Sequence, residues 1–406
     1  MNCRSCTGET VRFLDLGHHP PSDAFLTKDQ LDQPETYYPL NVHYCSKCGL
    51  VQLGYVVPKE VLFNEKYPYL TGSNKEGVEH FKRLAKDVVE TFHLSSEQLV
   101  VDIGSNDGTL LKGFQKEGIQ VLGFEPCKNI ASIANDNGIK TINAWYEGTL
   151  ASGIRNVSVI TACNVFAHIE DVNGVVNNVS KALAPDGVFI VESPYLLDMV
   201  KNLEYDTIYH EHLYYWSYLP LERLLGKYGL EIFDVRHQDI HGGTMRYYIG
   251  RKGEHPRVRY TVKNIFENEK DLSIDYLLDF ANDIELHREK LNDLLKRIRQ
   301  KGKTVVGMSA PAKGNTLINY CGIKLDYITE INSEKIGKFT PGAHIPVINE
   351  NGYKGVDYAL VLAWNWKDQI IKNSSEFIKN GGRFIIPIPE PEIEQIGSGV
   401  WAGYKL

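Results

Sequence analysis

Four cysteines and one histidine-rich run are the residues best equipped for chemistry. Cys3 and Cys6 form one C-x2-C pair, and Cys45 and Cys48 form a second, each beside turn-forming residues. Two such knuckles supply four thiolates, the tetrahedral set that holds zinc. Because four thiolates leave no open position for water or substrate, the ion they imply is a structural staple. Cys127, Cys163 and Cys321 stand alone and read as small packing residues. Tyr209-His210-Glu211-His212 places two imidazoles and a carboxyl in four residues, and histidine is the side chain best suited to moving a proton at neutral pH. The H-E-H run lacks the H-E-x-x-H spacing of a zinc helix. Three readings of it stay open from the residues alone: metal ligation, histidines that satisfy buried backbone groups, and proton transfer or substrate binding. His168, in the stretch NVFAHIED, is a second candidate because it follows a strand whose carboxyl end is where open α/β sheets bind ligands. His18, His19, His43, His93 and His237 have no such context.

The elements that must position these groups fall into three regions. Positions 1–74 hold short strand-like pieces, turn formers and the four paired cysteines. From Gly77 the pattern alternates: Val78 to Phe92 reads as a helix, and LVVDIG, GIQVLGFEP, VSVITACNVF and GVFIVESP read as strands, with GTMRYYIG closing the region. That alternation predicts a mainly parallel sheet with helices on both faces. A long connecting helix is predicted over Asp271 to Gln300, with Leu277, Ala281, Ile284, Leu291, Leu295 and Ile298 along one side. TVVGMSA, LDYITEIN, YALVLAWN and RFIIPIP then predict a second, smaller α/β unit. The expected fold class is therefore α/β, with domains over 1–74, 75–252 and 253–406.

Composition narrows the function. The chain has 406 residues, 43% of them hydrophobic and 23% charged, which excludes long disorder and fibrous repeats. There is no apolar run of about 18 residues for a membrane span and no secretory leader pattern. A net charge of -7 gives no general attraction to nucleic acid or an anionic membrane. The expected partner is a small molecule. Seven cysteines without a secretion signal point to a reducing, cytoplasmic setting.

Residues 100–111 read VVDIGSNDGTLL, a buried strand, a turn with Gly104 and Gly108, and a helix start. Glycine lets backbone approach a ligand, and Asp102 suits an ammonium group or the ordering of the loop. Glu125 ends the next strand, at the distance past the glycine turn where an acid is placed to accept both hydroxyls of a ribose. The loop is G-x-x-x-G and not G-x-G-x-x-G, so it serves a dinucleotide poorly. It resembles the first motif of Rossmann-like S-adenosylmethionine-dependent methyltransferases, which implies Asp102, Gly104, Ser105, Asn106, Gly108, Glu125 and Asn164 as cofactor-binding residues. Asn143, Ala144 and Trp145 are candidates to line the adenine.

Taken in order, the double C-x2-C, VVDIGSNDGTLL, NVFAHIED, the YHEH run, HGGTMRYYIG, SAPAKGNTLINY and GKFTPGAHIPV resemble the nucleotide-sugar C-methyltransferases of deoxysugar biosynthesis. The resemblance implies a zinc-binding domain, a central class I methyltransferase domain and a C-terminal Rossmann-like domain. It further implies methyl transfer from S-adenosylmethionine to the carbon beside the ketone of a thymidine-diphosphate-linked 4-keto-deoxyhexose. By the same resemblance His212 is the base, Glu211 and Tyr209 orient it or contact the sugar, and His168 steadies the enolate oxygen. Tyr67 or Tyr69 of YPYLTGSN reaches the same pocket, and His210, Arg246, Lys313 and Lys338 bind substrate. O- or N-methylation of a metabolite and a non-catalytic binding protein are the competing readings.

Overall fold

The computed structural model describes residues 1–65, 67–73, 75–240, 242–350 and 355–394. Asn74 of YPYLTGSN and His241 of HGGTMRYYIG lie outside them. The chain forms two compact units. The first gathers Met1–Gly17, Tyr38–Lys201 and His210–Asp279, and the second gathers His18–Tyr37, Asn202–Tyr209 and Phe280–Leu406. These seams differ from three consecutive domains divided at 74 and 252. The cysteine-bearing part and the large sheet share a unit, and the chain passes to the other unit within the helix Ile274–Gln300.

The strands of the first unit are, in chain order, β1 (Thr10–His19), β2 (Tyr38–Cys45), β3 (Val51–Leu53), β4 (Leu99–Ile103), β5 (Gln120–Phe124), β6 (Thr141–Ile142), β7 (Val157–Cys163), β8 (Leu183–Pro194), β9 (Tyr214–Tyr215), β10 (Leu230–Gln238) and β11 (Thr244–Arg251). β1, β2, β3 and β9 make a small sheet in that order. The large sheet runs β10-β11-β8-β7-β4-β5-β6. β4 to β8 are parallel, and β11 lies antiparallel between β8 and β10. The strand order turns back between β4 and β7, the switch point at which such sheets open a ligand crevice.

Residues 100–103 of β4 are all buried, as a central parallel strand covered on both faces requires. The helix Lys75–Thr91 turns His80, Leu84, Ala85 and Val88 inward, one face at helical spacing. Leu84, Ala85 and Val88 pack with Leu110, Leu111 and Phe114 of the helix Thr109–Lys116 and with Val100 and Val159 of the sheet. The helix expected to reach Phe92 stops at Thr91, where His93 takes a φ of 51°.

The second unit carries β12 (Val305–Met308), β13 (Ile328–Glu330), β14 (Val347–Asn349), β15 (Tyr358–Val361), β16 (Arg383–Ile386) and β17 (Glu392–Ile393), ordered β14-β13-β12-β15-β16-β17. All its pairs are parallel except β16 with β17. Glu330, at the end of β13 where a dinucleotide fold keeps its ribose acid, accepts instead from the N–H groups of Ala310, Ile331 and Asn332. Residues 18–37 are built into this unit: Leu26 and Phe339 exchange both backbone hydrogen bonds, and Asp23 pairs with Lys335 at 3.2 Å. On the long helix Leu277, Ile284, Leu291, Leu295 and Ile298 are buried as the spacing predicts. Ala281 is only half-buried, and Phe280 and His287 join the inner side in its stead. Among the described residues no helix is long and apolar enough to cross a membrane.

Asp171 caps the helix Val172–Ala182 that leaves β7, its Oδ1 accepting the Gly174 N–H at 2.8 Å. Asp171→Ala is expected to lower the unfolding free energy by about 1 kcal/mol in a urea titration with the slope unchanged.

Candidate active site

The zinc set forms from two knuckles folded toward each other. The Cys3 carbonyl accepts the Thr7 N–H, and the Cys45 carbonyl accepts the N–H of Gly49, whose φ of 81° closes the second turn. The sulfurs of Cys3 and Cys48 lie 3.6 Å apart and those of Cys6 and Cys45 3.5 Å, with all four within 4.8 Å of one another. Tetrahedral zinc with bonds of about 2.3 Å needs sulfurs about 3.8 Å apart, so the set fits the ion. What the ion steadies is visible in the small sheet. β3 pairs with β9, the two residues that follow the YHEH run by one position. The Leu53 N–H donates to the Leu213 carbonyl at 2.9 Å, and the Arg4 guanidinium reaches that carbonyl and that of Leu53. The Leu213 N–H donates to the Ala167 carbonyl at 2.8 Å, beside His168.

The residues expected to hold the cofactor gather at the carboxyl ends of β4, β5 and β7, where sheets of this order bind ligands. Gly104 has a φ of 67°, and a Cβ there would stand 2.5 Å from Val165 Cγ2. Gly108, with a φ of 79°, would press a Cβ against Ile139. Both positions therefore need glycine. Asp102 is buried, and its Oδ1 accepts the Thr161 hydroxyl at 2.6 Å. Burial pushes its carboxyl up to about 7, against the pull of the Thr161 bond. Glu125 accepts the N–H of Cys127 at 2.8 Å and that of Asn106 at 3.0 Å, and burial raises it against those bonds. Asn143 is tied to the carbonyls of Glu125 and Pro126, and the Lys59 ammonium stands 4.7 Å from the Trp145 ring. Ser105 Oγ and Asn164 Oδ1 are buried without a hydrogen-bond partner among the described residues. Buried polar atoms want partners, and these two orphans at the ends of β4 and β7 suit the polar groups of a bound cofactor.

Beyond Asn164 the short turn Phe166–His168 brings His168 within 5.1 Å of His212, ring centre to ring centre and 28° from parallel. Phe63 also stacks on His168 at 5.7 Å, with Trp145 edge-on to Phe63 and Tyr67 at 5.4 Å from it. Burial, helped by His212, holds the His168 imidazole well below its ordinary range and so keeps it neutral. Glu211 and His210 are buried, and His210 meets the edge of Tyr38. Phe63 had no signal in the sequence, since it belongs to no motif.

Arg246, expected to face a diphosphate or a sugar oxygen, is buried instead against Glu192, with Nε to Oε2 at 2.7 Å. His80 binds the other oxygen at 2.6 Å. Burial works to raise Glu192, but His80 and Arg246 outweigh it and hold the carboxyl below its ordinary range. Tyr69 is half-exposed and lies on the segment joining Phe63 to the first helix of the large domain. Tyr209 closes the 202–209 stretch of the second unit, which also holds Lys313 and Lys338. The Lys313 ammonium stands 4.2 Å over the Trp364 ring, with no hydrogen-bond partner among the described residues. Lys338 is half-buried and enters the sheet region through backbone bonds with Lys335 and Val347.

A seven-stranded sheet of this order, with a glycine loop after its first strand and an acid at the end of its second, defines a class I S-adenosylmethionine-dependent methyltransferase. Family models match a zinc binding domain over residues 3–63, a methyltransferase domain over 78–235 and a C-methyltransferase C-terminal domain over 239–389. The chain is 35% identical over 404 residues to C-methyltransferase NovU of Streptomyces niveus, covering 96% of both chains. It belongs to the C-methyltransferase family, uses S-adenosylmethionine and carries a zinc-binding domain. Among solved structures, an S-adenosylmethionine-dependent methyltransferase from Clostridium acetobutylicum is 14% identical, with 43% of this chain and 92% of that one covered at a TM-score of 0.35. Magnesium protoporphyrin IX methyltransferase from Synechocystis, also 14% identical, covers 44% and 82% at 0.34. At these scores the strand order, and not the likeness, carries the fold.

Two outcomes are expected. Stripping the zinc with a chelator, or Cys45→Ser, costs about 3 kcal/mol or more of stability and lowers methyl transfer, as read by thermal unfolding and turnover. A protein unmoved by loss of the metal would show that the cysteine set does not hold the His212 segment. Secondly, an ammonium group of the cofactor placed at Asp102, as expected from the sequence, would favour the ionised carboxyl, so binding would gain as pH rises through about 7 and release a proton. The affinity for S-adenosylhomocysteine should rise by up to about tenfold from pH 6 to pH 8, and Asp102→Asn should flatten that slope.

Proposed function

We propose that this enzyme methylates the carbon beside the ketone of a thymidine-diphosphate-linked 4-keto-deoxyhexose, through an enolate that its own side chains generate. The observation that carries the reading is the stacked pair His168 and His212 beside the cofactor crevice. A carbon becomes nucleophilic only after a neighbouring ketone lets its proton go, so the site needs a base and an oxyanion partner within one substrate's reach. His212 takes the proton from the carbon, and the electron pair of that C–H bond moves into the enolate. His168, kept neutral by burial, donates an N–H hydrogen bond to the enolate oxygen as an electrophile of matched basicity. Bound S-adenosylmethionine supplies the electrophilic methyl group. The enolate carbon would take that methyl group as the electron pair of the S–CH3 bond stays on sulfur and S-adenosylhomocysteine leaves; the carbonyl then re-forms, and His212 returns its proton to solvent.

Phe63, stacked on His168, helps keep water from it. Tyr67 stands beside Phe63 as the tyrosine of that row. Glu211, Tyr209 and His210 are read as orienting or substrate-contacting groups of the same run. With its charge spent on Glu192, Arg246 acts as a wall of the crevice, while Lys313 and Lys338 remain candidates for oxygens of the nucleotide. The same proposal places the enzyme in the cytoplasm, where thiols stay available for zinc.

Solvent deuterium should enter the carbon beside the ketone when the enzyme is given the sugar nucleotide and S-adenosylhomocysteine, and His212→Gln should slow that exchange by about 10²- to 10⁴-fold. Methyl transfer without any such exchange would point to an oxygen or nitrogen acceptor.

A further inference from the structure

The cofactor loop does something besides shaping the crevice. Asn106, expected to bind the cofactor, has a φ of 49°, a left-handed conformation that asparagine tolerates better than most residues. Its N–H donates to Glu125 Oε2 at 3.0 Å. Its side chain is turned to the segment after Tyr67. Oδ1 accepts the Thr71 N–H at 2.9 Å, and Nδ2 donates to the Tyr69 carbonyl at 3.2 Å. One side chain thus satisfies a donor and an acceptor of a passing backbone, as a neighbouring strand would. The next residue repeats the contact: Asp107 Oδ2 accepts the Gly72 N–H at 2.7 Å, while its Oδ1 takes the N–H and hydroxyl of Thr109. A Cβ on residue 72 would stand 2.8 Å from Asp107 Oδ2, so glycine permits the approach.

We propose that Asn106 is a positioning residue that latches the tyrosine-bearing segment to the cofactor loop, so that cofactor occupancy and assembly of the substrate pocket are coupled. Glu125 joins the two ends of the device. The carboxylate placed for the ribose is the one that holds the Asn106 N–H, and the Asn106 amide holds the segment whose upstream end stacks Phe63 on His168. Coupling of this kind is reciprocal: what the cofactor does for the segment, a substrate that orders the segment does for the cofactor. The part concerning substrate rests on the keto-sugar reading above, and the latch itself does not.

Amide hydrogen exchange at Thr71 and Gly72, with and without S-adenosylhomocysteine, reads the latch with no sugar present. The cofactor product should slow both amides by about tenfold in the parent enzyme. Asn106→Gly keeps the left-handed backbone without strain, so it isolates the side chain, and it should abolish the slowing at Thr71. Asn106→Asp keeps the acceptor and loses the donor, and it should retain part of the slowing. In turnover Asn106→Gly should raise the KM for the keto-sugar about tenfold with kcat reduced less than about threefold, and Asn106→Asp should fall between. Equal exchange at Thr71 in the parent and Asn106→Gly overturns the proposal, as does a fall in kcat with KM unchanged. Exchange that behaves as expected while no keto-sugar nucleotide is turned over leaves the latch standing and removes only the substrate reading.

Discussion

The peptide of Leu213 holds the site in place. Its carbonyl accepts from Leu53 in the zinc-bearing sheet and from Arg4 between the first two cysteines, and its N–H donates to Ala167 beside His168. The residue that follows His212 is therefore held at both its donor and its acceptor. A histidine on an exposed loop would lose rotamer and backbone freedom on meeting substrate; here that ordering cost is met during folding. This route links the four thiolates to the segment that carries His212.

Electrostatics at the site follow from dryness. Burial keeps His168 neutral, raises Asp102 and Glu125, and makes each remaining hydrogen bond count for more than it would in water. Where a full charge had to remain, the fold neutralises it locally, as with Glu192 between His80 and Arg246. The consequence is a crevice with few free charges. Its orphaned atoms, Ser105 Oγ and Asn164 Oδ1, sit where a polar ligand is due.

The second unit repeats the architecture of a nucleotide-binding sheet and fills the usual place with its own chain. Glu330 is committed to three backbone N–H groups and Lys335 to Asp23 and the Ala310 carbonyl, with residues 18–37 packed as part of the same unit. A fold thus gives no licence to infer a dinucleotide, because the ligand site lies in a few side chains at the strand ends.

Whatever depends on local spacing was legible in the residues before any folding. The two C-x2-C pairs, the strand with its single acid before Gly104, the acid closing the following strand and the helical stripe from Leu277 to Ile298 are patterns of periodicity and valence, which a chain carries wherever it folds. The remaining features belong to the folded chain. Folding put Phe63 against His168, turned the Asn106 side chain to the Tyr69 backbone, closed Arg246 onto Glu192 and replaced Ala281 by Phe280 and His287 on the buried side of the long helix. Each of these depends on packing and hydrogen-bond direction between segments far apart in the chain. No local pattern encodes such a pairing, because it exists only once the sheets have formed and the buried polar groups have had to find partners.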